Sequence, residues 1–367
     1  MPALHPVGGI RSFIRYVYGH SSFREFQFTL IAPGEDLSNY FSNYIPKSQF
    51  SVKSIAASSR DLYSAVREEA SEGNFDLLHS HGLTAGAVGE LARFGVHIPH
   101  LITVHDMFLP TTFNGLKGKL RWLGLNILLR RCEAIHAVGD DCAANFREYM
   151  PMVRGERVHA IRNGIDTDRF FNAVPIDARA ELNLESSVFL VGYFGRFMGP
   201  KGFRTLIDAA EILVDSELPR DFRIVTFGWG GFIREDYEYL RSKRLDKYFI
   251  QCARTEVPER WMKSMDVIAM PSRWEACGLV AMESLVAGVP IVTSDCVGLK
   301  EVVRDSPALV AGIDDAVGFA AQIESLIQTD KKTMFQEFQR TAAKRFSVER
   351  TIEKLCDLYA KIGREAQ

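Results

Sequence analysis

Short runs of apolar, β-forming residues alternate with helix-type segments along the whole chain, and this alternation strongly constrains the fold. The runs of the first half are FQFTLIAP, FSVKSIA, FDLLHSH, HLITVHD, AIHAVGD and RVHAIRNG. Those of the second half are VFLVGYFG, FRIVTFG, KYFIQCA, DVIAMPS, PIVTSD and PALVAG. Strands that alternate with helices are typical of parallel sheets covered by helices. We therefore predict an α/β protein whose ligands bind at the carboxyl ends of its strands.

The length of 367 residues corresponds to two domains, at roughly 150 residues for each. The segment FNAVPIDARAELNLESS (171–187) contains no convincing strand and separates the two series of runs. We therefore predict an amino-terminal domain over 1–172 and a carboxy-terminal domain over 185–349. The last segment, SVERTIEKLCDLYAKIGREAQ, is typical of a closing amphipathic helix.

Composition excludes several classes of protein. Lys and Arg total 44 against 46 Asp and Glu, so a dedicated nucleic-acid binder, which needs a strong basic excess, is not expected. The six cysteines are scattered without metal-ligand spacing, which favours a reduced chain without a metal site. No apolar run approaches the roughly 20 residues of a membrane span, and MPALHPVGGIRSF lacks signal-peptide features. These observations predict a cytoplasmic protein.

The strongest local signal is PSRWEACGLVAMESLVAGVPIVTS (271–294), where a strand ends in a polar turn and a helix begins near Gly278. The free amides at such a helix start favour a phosphate group. Glu275 lies in the turn and Glu283 lies eight residues later, inside the helix. A carboxylate there can accept two hydrogen bonds from a ribose diol. The alternative is that Glu275 is only a helix-entry acid and Glu283 only a solvated side chain.

A second signal is VGYFGRFMGPKGFRTLIDAA (191–210), in which Gly195, Arg196 and Lys201 lie on a turn between a strand and a helix. Two cations on a glycine-bearing turn suit a diphosphate, because Arg can bind two oxygens and Lys supplies a point charge. The alternative is that Arg196 and Lys201 are ordinary surface residues that bind no ligand.

Weaker signals lie in the first half. Gly8 and Gly9 directly precede a helix-type segment, where paired glycines allow backbone to approach a phosphate, although a plain turn explains them equally well. His79, His81 and His105 lie at the ends of predicted strands, where single histidines are usually structural. The segment FGWGGF lacks the GxGxxG spacing of a nicotinamide site.

Taken in chain order, these segments resemble the retaining family-4 glycosyltransferases of the GT-B fold. The resemblance is carried by VGGIR (7–11), FDLLHSHG (75–82), ITVHD (102–106), IRNGID (161–166), GRFMGPKG (195–202) and MPSRWEACGLVAMESLVAGVPIV (270–292). It implies two Rossmann-like domains that face each other across a cleft, with a carboxy-terminal helix, 350–367, packing back on the first domain. It also implies hexose transfer from a UDP- or GDP-sugar to a glycan or lipid-linked acceptor, without a cofactor or metal.

The resemblance also implies roles for individual donor-site residues. Glu283 would hold the nucleotide ribose, and Glu275 would contact hydroxyls of the donor sugar. Arg196 and Lys201 would neutralise the donor diphosphate. The backbone groups expected to assist them are those of Gly278, Leu279, Gly8 and Gly9.

On the acceptor side, the resemblance implies that His105 faces the sugar near the reacting carbon and that His81 borders the acceptor groove. Asn163 and Gly164 would lie near the hinge. The chain departs from the family at its start, because MPALHPV is too short for a first strand and its loop. We therefore expect either a truncated start or a first sheet that lacks a central strand, and in both cases a plain turn is the alternative to a phosphate turn at Gly8 and Gly9.

The segment NGLKGKLRWLGLNILLRRCEA (114–134) combines basic residues with apolar and aromatic ones. Such a stretch can lie on an anionic membrane surface, as it does in several members of the resembled family. A core helix with basic ends is the alternative. Two other functions also remain open, namely a sugar-nucleotide epimerase of the same fold and a non-catalytic, partner-binding subunit. The donor base, which this fold reads near 251–257, is not specified by the sequence.

Overall fold

A computed structural model describes residues 1–73, 75–252 and 255–365. The chain forms two compact units, which are described separately. The first comprises Met1–Gly164 and the C-terminal helix from Val348 onward, and the second comprises Ile165–Ser347. The boundary after Gly164 precedes the expected one at 172, because a short helix at Thr167–Phe171 belongs to the second unit. Each predicted apolar run contains one strand, so the prediction of an α/β protein with parallel sheets in both domains is confirmed.

Within its described residues the amino-terminal unit contains six strands, and all of the strand pairs among them are parallel. The strands are β1 (Phe28–Pro33), β2 (Phe50–Ile55), β3 (Leu78–His81), β4 (His100–Val104), β5 (Ala134–Ala137) and β6 (Val158–Ala160). The helices are α1 (Gly9–Phe13), α2 (Leu37–Ser42), α3 (Ser59–Glu72), α4 (Leu83–Ala92), α5 (Gly115–Leu129) and α6 (Asp140–Tyr149). A π-helix, Ile14–Tyr18, continues α1 directly. Strand order is β2-β1 in one group and β3-β4-β5-β6 in the other.

The first residues of the chain connect these two groups of strands. Pro2 forms a parallel bridge with Ile31 of β1, and Ala3 forms one with His81 of β3. The Ala3 amide donates to the Ile31 carbonyl at 3.0 Å, and the His81 amide donates to the Pro2 carbonyl at 2.9 Å. A very short extended segment therefore lies where the sequence suggested a missing or shortened central strand.

The described part of the carboxy-terminal unit, 165–252 and 255–347, forms one six-stranded parallel sheet in the order β12-β11-β10-β7-β8-β9. Its strands are β7 (Phe189–Phe194), β8 (Phe222–Phe227), β9 (Phe249–Cys252), β10 (Val267–Met270), β11 (Ile291–Ser294) and β12 (Leu309–Ala311). Its helices are α7 (Thr167–Phe171), α8 (Ala178–Glu181), α9 (Phe203–Val214), α10 (Ile233–Ser242), α11 (Pro258–Lys263), α12 (Leu279–Ala287), α13 (Leu299–Val303), α14 (Ala316–Gln328) and α15 (Lys332–Phe346). The order reverses direction between β10 and β7, and loops after such neighbouring strands are where α/β sheets bind ligands.

The last helix, α16 (Val348–Glu365), completes the core of the amino-terminal unit. Ile352, Leu355, Leu358 and Ile362 recur at helical spacing, and all of them are buried in that core. The chain enters and leaves the second unit at adjacent points, since the Ile165 amide donates to the Phe346 carbonyl at 2.9 Å. Among the described helices, none is both long and apolar enough to cross a membrane.

Candidate functional site

The loops after β7 and β10 bring two predicted donor-site residues into direct contact. Lys201 ends a short 3-10 turn, Gly199–Lys201, and Glu275 lies between β10 and α12. The Lys201 ammonium donates to Glu275 Oε1 at 2.5 Å, and the Ser272 hydroxyl donates to the same oxygen at 2.8 Å. Only 24% of the Lys201 side chain and 10% of the Glu275 side chain are exposed. The carboxylate therefore holds the Lys201 cation in one place within a shielded loop cluster.

Backbone contacts fix the two loops against each other. The Arg273 amide donates to the Pro200 carbonyl at 2.8 Å. Gly202 has a φ of 62°, and a Cβ there would lie 1.8 Å from the Pro271 carbonyl oxygen. A side chain at Gly202 would therefore force the loops apart, which explains why glycine follows Lys201.

Arg196 lies one residue beyond Gly195, on the turn after β7. The Gly195 amide donates to the Phe227 carbonyl at 3.0 Å, and the Tyr193 hydroxyl donates to the Arg196 carbonyl at 3.1 Å. The half-buried Arg196 guanidinium has no carboxylate partner within residues 1–73, 75–252 and 255–365. The turn thus fixes the backbone of Arg196 and leaves its cation available to an anionic ligand. The loop after β8, which was not identified as part of the site from the sequence, packs against this turn. A Cβ at Gly228 would lie 1.8 Å from the Gly195 carbonyl oxygen.

Helix α12 begins after Gly278, which has a φ of 60°. No side chain of the described residues caps this helix start. The first amides of the helix, beginning at Leu279, therefore present a partial positive charge. Glu283 lies on the same helix and is half-buried. The loop between β10 and α12 therefore carries both Glu275, which pairs with Lys201, and the start of a helix.

A third loop supports Glu275 from the side of β11 and was not identified from the sequence. The Glu275 amide donates to the Val297 carbonyl at 3.2 Å. Gly298 has a φ of 84°, and a Cβ there would lie 1.9 Å from the Glu275 carbonyl oxygen. The sequence feature that could have identified this loop is Gly298, which directly precedes α13. Gly202 and Gly278 precede α9 and α12 in the same way.

Gly8 and Gly9 lie in the amino-terminal unit, at the start of α1. Gly8 has a φ of 55°, and both residues are exposed. A cavity of about 300 Å³ adjoins this turn and is lined by Val7, Arg11 and Asp36 among other residues. The turn is thus an open, glycine-dependent bend, and its phosphate-binding role stays a prediction.

His81 and His105, at the carboxyl ends of neighbouring strands β3 and β4, contact each other. The His81 Nδ1 and His105 Nε2 atoms are 3.1 Å apart. Burial lowers the pKa of His105 to about 3, and it holds the pKa of His81 well below its usual range. Both imidazoles are therefore neutral at physiological pH, and His105 can act as a hydrogen-bonding group but not as a cation.

His81 belongs to a larger buried network that sequence reasoning missed in part. Its members beyond His81 and His105 are Tyr18, His79, Thr103, His136 and Tyr359. Tyr18 lies in the π-helix and Tyr359 in α16. Nothing in local spacing marks these residues, because they meet only through the fold. Of the region expected to read the donor base, Ala253 and Arg254 lie outside the described residues.

Two family models match this chain, one in each half. The model for Glycosyltransferase Family 4 matches residues 7–169, and that for Glycosyl transferases group 1 matches residues 188–329. Together they span most of both units.

Curated relatives and solved structures agree with these matches. The D-inositol 3-phosphate glycosyltransferase of Xylanimonas cellulosilytica is 29% identical over 81% of this chain and 75% of its own length. The UDP-Gal:alpha-D-GlcNAc-diphosphoundecaprenol alpha-1,3-galactosyltransferase of Escherichia coli is 24% identical over 81% of this chain and 77% of its own. The crystal structure of Anabaena HepE in complex with UDP-glucose superposes with a TM-score of 0.80, at 19% identity, and covers 97% of this chain and 96% of that one.

The structural likeness shows the fold, and the family models and relatives show the enzyme class. The parallel sheets of both units, the resembling motifs and these matches lead to one conclusion. The chain belongs to the family-4 glycosyltransferases and has the GT-B fold.

Proposed function

We propose that this protein is a retaining, metal-independent glycosyltransferase that moves a hexose from a UDP-sugar to a lipid-linked or glycan acceptor. The observation that carries the proposal is the loop cluster of the carboxy-terminal unit, in which Arg196, Lys201 and the start of α12 supply positive charge. The donor class is supported by the UDP-sugar named for the E. coli relative and for the HepE complex.

The donor diphosphate is the group that this charge suits. Cleavage of the bond between the anomeric carbon and the diphosphate oxygen leaves negative charge on the diphosphate. Fixed cations and helix amides stabilise such charge without reorganising, and removal of one donor of this kind commonly costs about 3 kcal/mol in the barrier. Lys201 is fixed by Glu275, and the Glu275 carboxylate would also accept hydrogen bonds from donor hydroxyls. Glu283, on the same helix, would bind the ribose diol.

In the proposed reaction the acceptor oxygen bonds to the anomeric carbon on the face that the diphosphate leaves. The acceptor hydroxyl proton passes to the departing diphosphate oxygen, so the step needs no covalent enzyme intermediate. His105, which is neutral, would hydrogen-bond a hydroxyl of the transferred sugar and orient the ring. His81 is buried, so it would influence the acceptor groove through its contact with His105 and not line it. The Gly8–Gly9 turn would contribute backbone amides to the diphosphate.

The acceptor class is supported by the surface of α5. Leu116, Leu120, Leu123 and Ile127 recur on one face at helical spacing and are 77%, 62%, 41% and 41% exposed. Lys117, Lys119 and Arg121 are exposed on the same helix. Exposed apolar side chains beside cations complement an anionic lipid surface, where the leucines enter the acyl boundary and the cations meet headgroups. We infer that α5 brings the enzyme to a lipid-linked acceptor.

Turnover assays test the reaction. The protein is incubated with UDP-, GDP- and ADP-sugars, with and without candidate lipid-linked acceptors and with EDTA. We expect UDP-sugars to raise the midpoint of thermal unfolding more than GDP- or ADP-sugars do. We also expect release of UDP that depends on the acceptor and persists in EDTA. The product should have the same anomeric configuration as the donor. Sugar interconversion with donor alone would instead indicate an epimerase, and the absence of turnover with every donor would contradict the proposal.

Vesicle flotation tests the membrane contact separately. The protein is expected to float with vesicles that contain anionic lipid and to remain in solution with neutral vesicles. The variant Leu116→Ser/Leu120→Ser should lose flotation but retain UDP binding. The matched control is Leu91→Ser, which removes an exposed leucine from α4. Equal flotation of wild type and the double variant would exclude α5 as the contact surface.

A further inference from the structure

The buried network of the amino-terminal unit runs from a backbone carbonyl to His105. His136 Nε2 lies 2.8 Å from the Ile161 carbonyl oxygen, and His136 Nδ1 lies 3.0 Å from the Thr103 hydroxyl. The same hydroxyl lies 2.6 Å from His79 Nε2. On its other side, His79 faces two tyrosine hydroxyls. The chain of polar contacts is therefore continuous within this unit.

The histidines of this network are uncharged. Burial lowers the pKa of His136 to about 4 and holds the pKa of His79 well below its usual range. The tyrosines keep their protons, because burial raises the pKa of Tyr18 and of Tyr359. Each neutral imidazole then has one nitrogen that donates and one that accepts. The position of a proton on one ring consequently restricts the position of the proton on its neighbours.

The Ile161 carbonyl determines which nitrogen of His136 carries the proton. A carbonyl only accepts, so His136 must donate from Nε2 and accept at Nδ1. The Thr103 hydroxyl therefore donates to His136 Nδ1 and accepts from His79 Nε2. His79 is left with an acceptor nitrogen at Nδ1. This order of protons follows from the contacts alone and needs no ligand.

Two hydroxyls compete for His79 Nδ1. The Tyr359 hydroxyl lies 2.6 Å from it, and the Tyr18 hydroxyl lies 2.9 Å from it. The nitrogen has one lone pair, and the shorter contact requires the Tyr359 proton, because two oxygen or nitrogen lone pairs repel at that distance. The Tyr18 proton then has two possible acceptors, His81 Nε2 at 3.1 Å and the Tyr359 oxygen at 3.3 Å. It goes to His81, because that contact is shorter and an imidazole nitrogen accepts more strongly than a phenol oxygen.

The remaining step reaches His105. With Nε2 accepting, His81 carries its proton on Nδ1 and donates it to His105 Nε2 at 3.1 Å. His105 therefore carries its own proton on Nδ1. We propose that Tyr359 is a positioning residue, which sets the tautomer of His105 through His79, Tyr18 and His81. The use of that Nδ1–H toward the donor sugar rests on the proposed function, whereas the tautomer itself does not.

Replacement of Tyr359 by Phe should reverse the order of protons. Tyr18 then supplies the proton for His79 Nδ1 and accepts from His81 Nε2, because this arrangement leaves neither buried group unpaired. His81 Nδ1 becomes an acceptor, and His105 must donate from Nε2. One hydroxyl on α16 thus determines which nitrogen of His105 bears hydrogen.

Imidazole ¹⁵N spectra of the full-length, ligand-free protein test this inference. The His105 signals are assigned with His105→Gln. We expect Nδ1 of His105 to be protonated in the wild type and Nε2 to be protonated in Tyr359→Phe. In Tyr18→Phe, which breaks the connection, both tautomers should be populated. The matched control is Tyr237→Phe, which removes a hydroxyl bonded to Thr226 at 2.7 Å in the other unit and should leave the spectrum unchanged.

The same His105 tautomer in wild type and Tyr359→Phe, or an Nε2-protonated wild type, would overturn the inference. Turnover is measured in parallel so that the two proposals fail separately. A reversed tautomer with a lowered kcat and an unchanged KM supports both of them. A reversed tautomer with unchanged kcat supports the relay and contradicts the role of His105 in the proposed reaction.

Discussion

Lys201 and Glu275 form an ion pair across two loops, with 2.5 Å between the ammonium nitrogen and Oε1. The two residues are 74 positions apart in the chain. Each loop follows a strand of the same sheet, β7 for Lys201 and β10 for Glu275, and these strands are neighbours. The pair therefore depends on the sheet order and not on local sequence. It places one negative charge beside one of the two cations on which the proposed donor site relies.

Removal of the Lys201 cation should affect turnover more than donor binding. We expect Lys201→Ala to lower kcat by about 10²–10³, because the charge that develops on the diphosphate loses a fixed donor and meets an unpaired Glu275 carboxylate. The measurement is steady-state release of UDP. Lys243→Ala is the matched control, since Lys243 forms an ion pair with Glu211 at 2.6 Å in the same unit and should leave turnover unchanged.

The same pair can be measured by a double-mutant cycle. Glu275→Gln in the Lys201→Ala background should recover part of the lost turnover, because it removes the unpaired charge. If the losses of turnover caused by the two substitutions are additive in free energy, Glu275 does not position Lys201.

Arg196 should resist conservative replacement. Arg196→Lys keeps the charge but loses two-point binding of the diphosphate, so UDP affinity should fall by about tenfold or more. Calorimetric titration with UDP is the measurement. Arg234→Lys, an exposed arginine paired with Glu238, provides the control and should bind UDP as the wild type does. Equal UDP affinity of Arg196→Lys and wild type would remove Arg196 from the donor site.

Gly202 should not tolerate a methyl group. Gly202→Ala forces an alanine to a φ of 62° and into the Pro271 carbonyl, whereas Gly199→Ala in the same turn meets no atom within 4 Å. The left-handed backbone alone costs about 1–3 kcal/mol. We expect a lower midpoint of thermal unfolding and weaker UDP binding for Gly202→Ala only. Identical midpoints for the two variants would show that the loops are not fixed as described.

Acid should destabilise the amino-terminal unit. The pKa of His105 is about 3 and that of His136 about 4, both below the 6.5 of an unfolded chain. Below pH 6.5 the unfolded state therefore binds more protons, and the free energy of unfolding falls as the pH drops toward 4. The slope is up to about 1.4 kcal/mol per pH unit for each histidine. Urea unfolding at a series of pH values from about 7.5 to about 4.5 measures this slope.

His97→Gln provides the control for this experiment, because His97 is exposed outside the network. The variant should show the same dependence on pH as the wild type, whereas His136→Gln should reduce the slope. A free energy of unfolding that stays constant over this range would contradict the burial of neutral histidines.

The strands were predictable because parallel strands covered on both faces appear as short apolar runs. The strand VIAM of β10, for example, is buried at every position. Helices with many charged residues were harder to predict. Neither IREDYEYLRS of α10 nor KTMFQEFQRTAAKRF of α15 stands out as a helix in the sequence, because surface charges obscure the apolar face of each.

The candidate site was predictable where it follows a single strand. Arg196, Lys201, Glu275 and Gly278 all lie on glycine-bearing turns between a strand and a helix. The relay was not predictable, since Tyr18 and Tyr359 are 341 positions apart and come together only when α16 packs on the first sheet. Contacts of this kind depend on tertiary packing and leave no local pattern.

The division of the chain has a consequence for biosynthesis. The second unit is one uninterrupted stretch, Ile165–Ser347, whereas the first needs α16 from the far end of the chain. Domains generally fold as units during synthesis, so the second unit can fold before the first has its full core. The apolar face that Ile352, Leu355, Leu358 and Ile362 cover in the folded unit therefore stays uncovered in the nascent chain until α16 has been made.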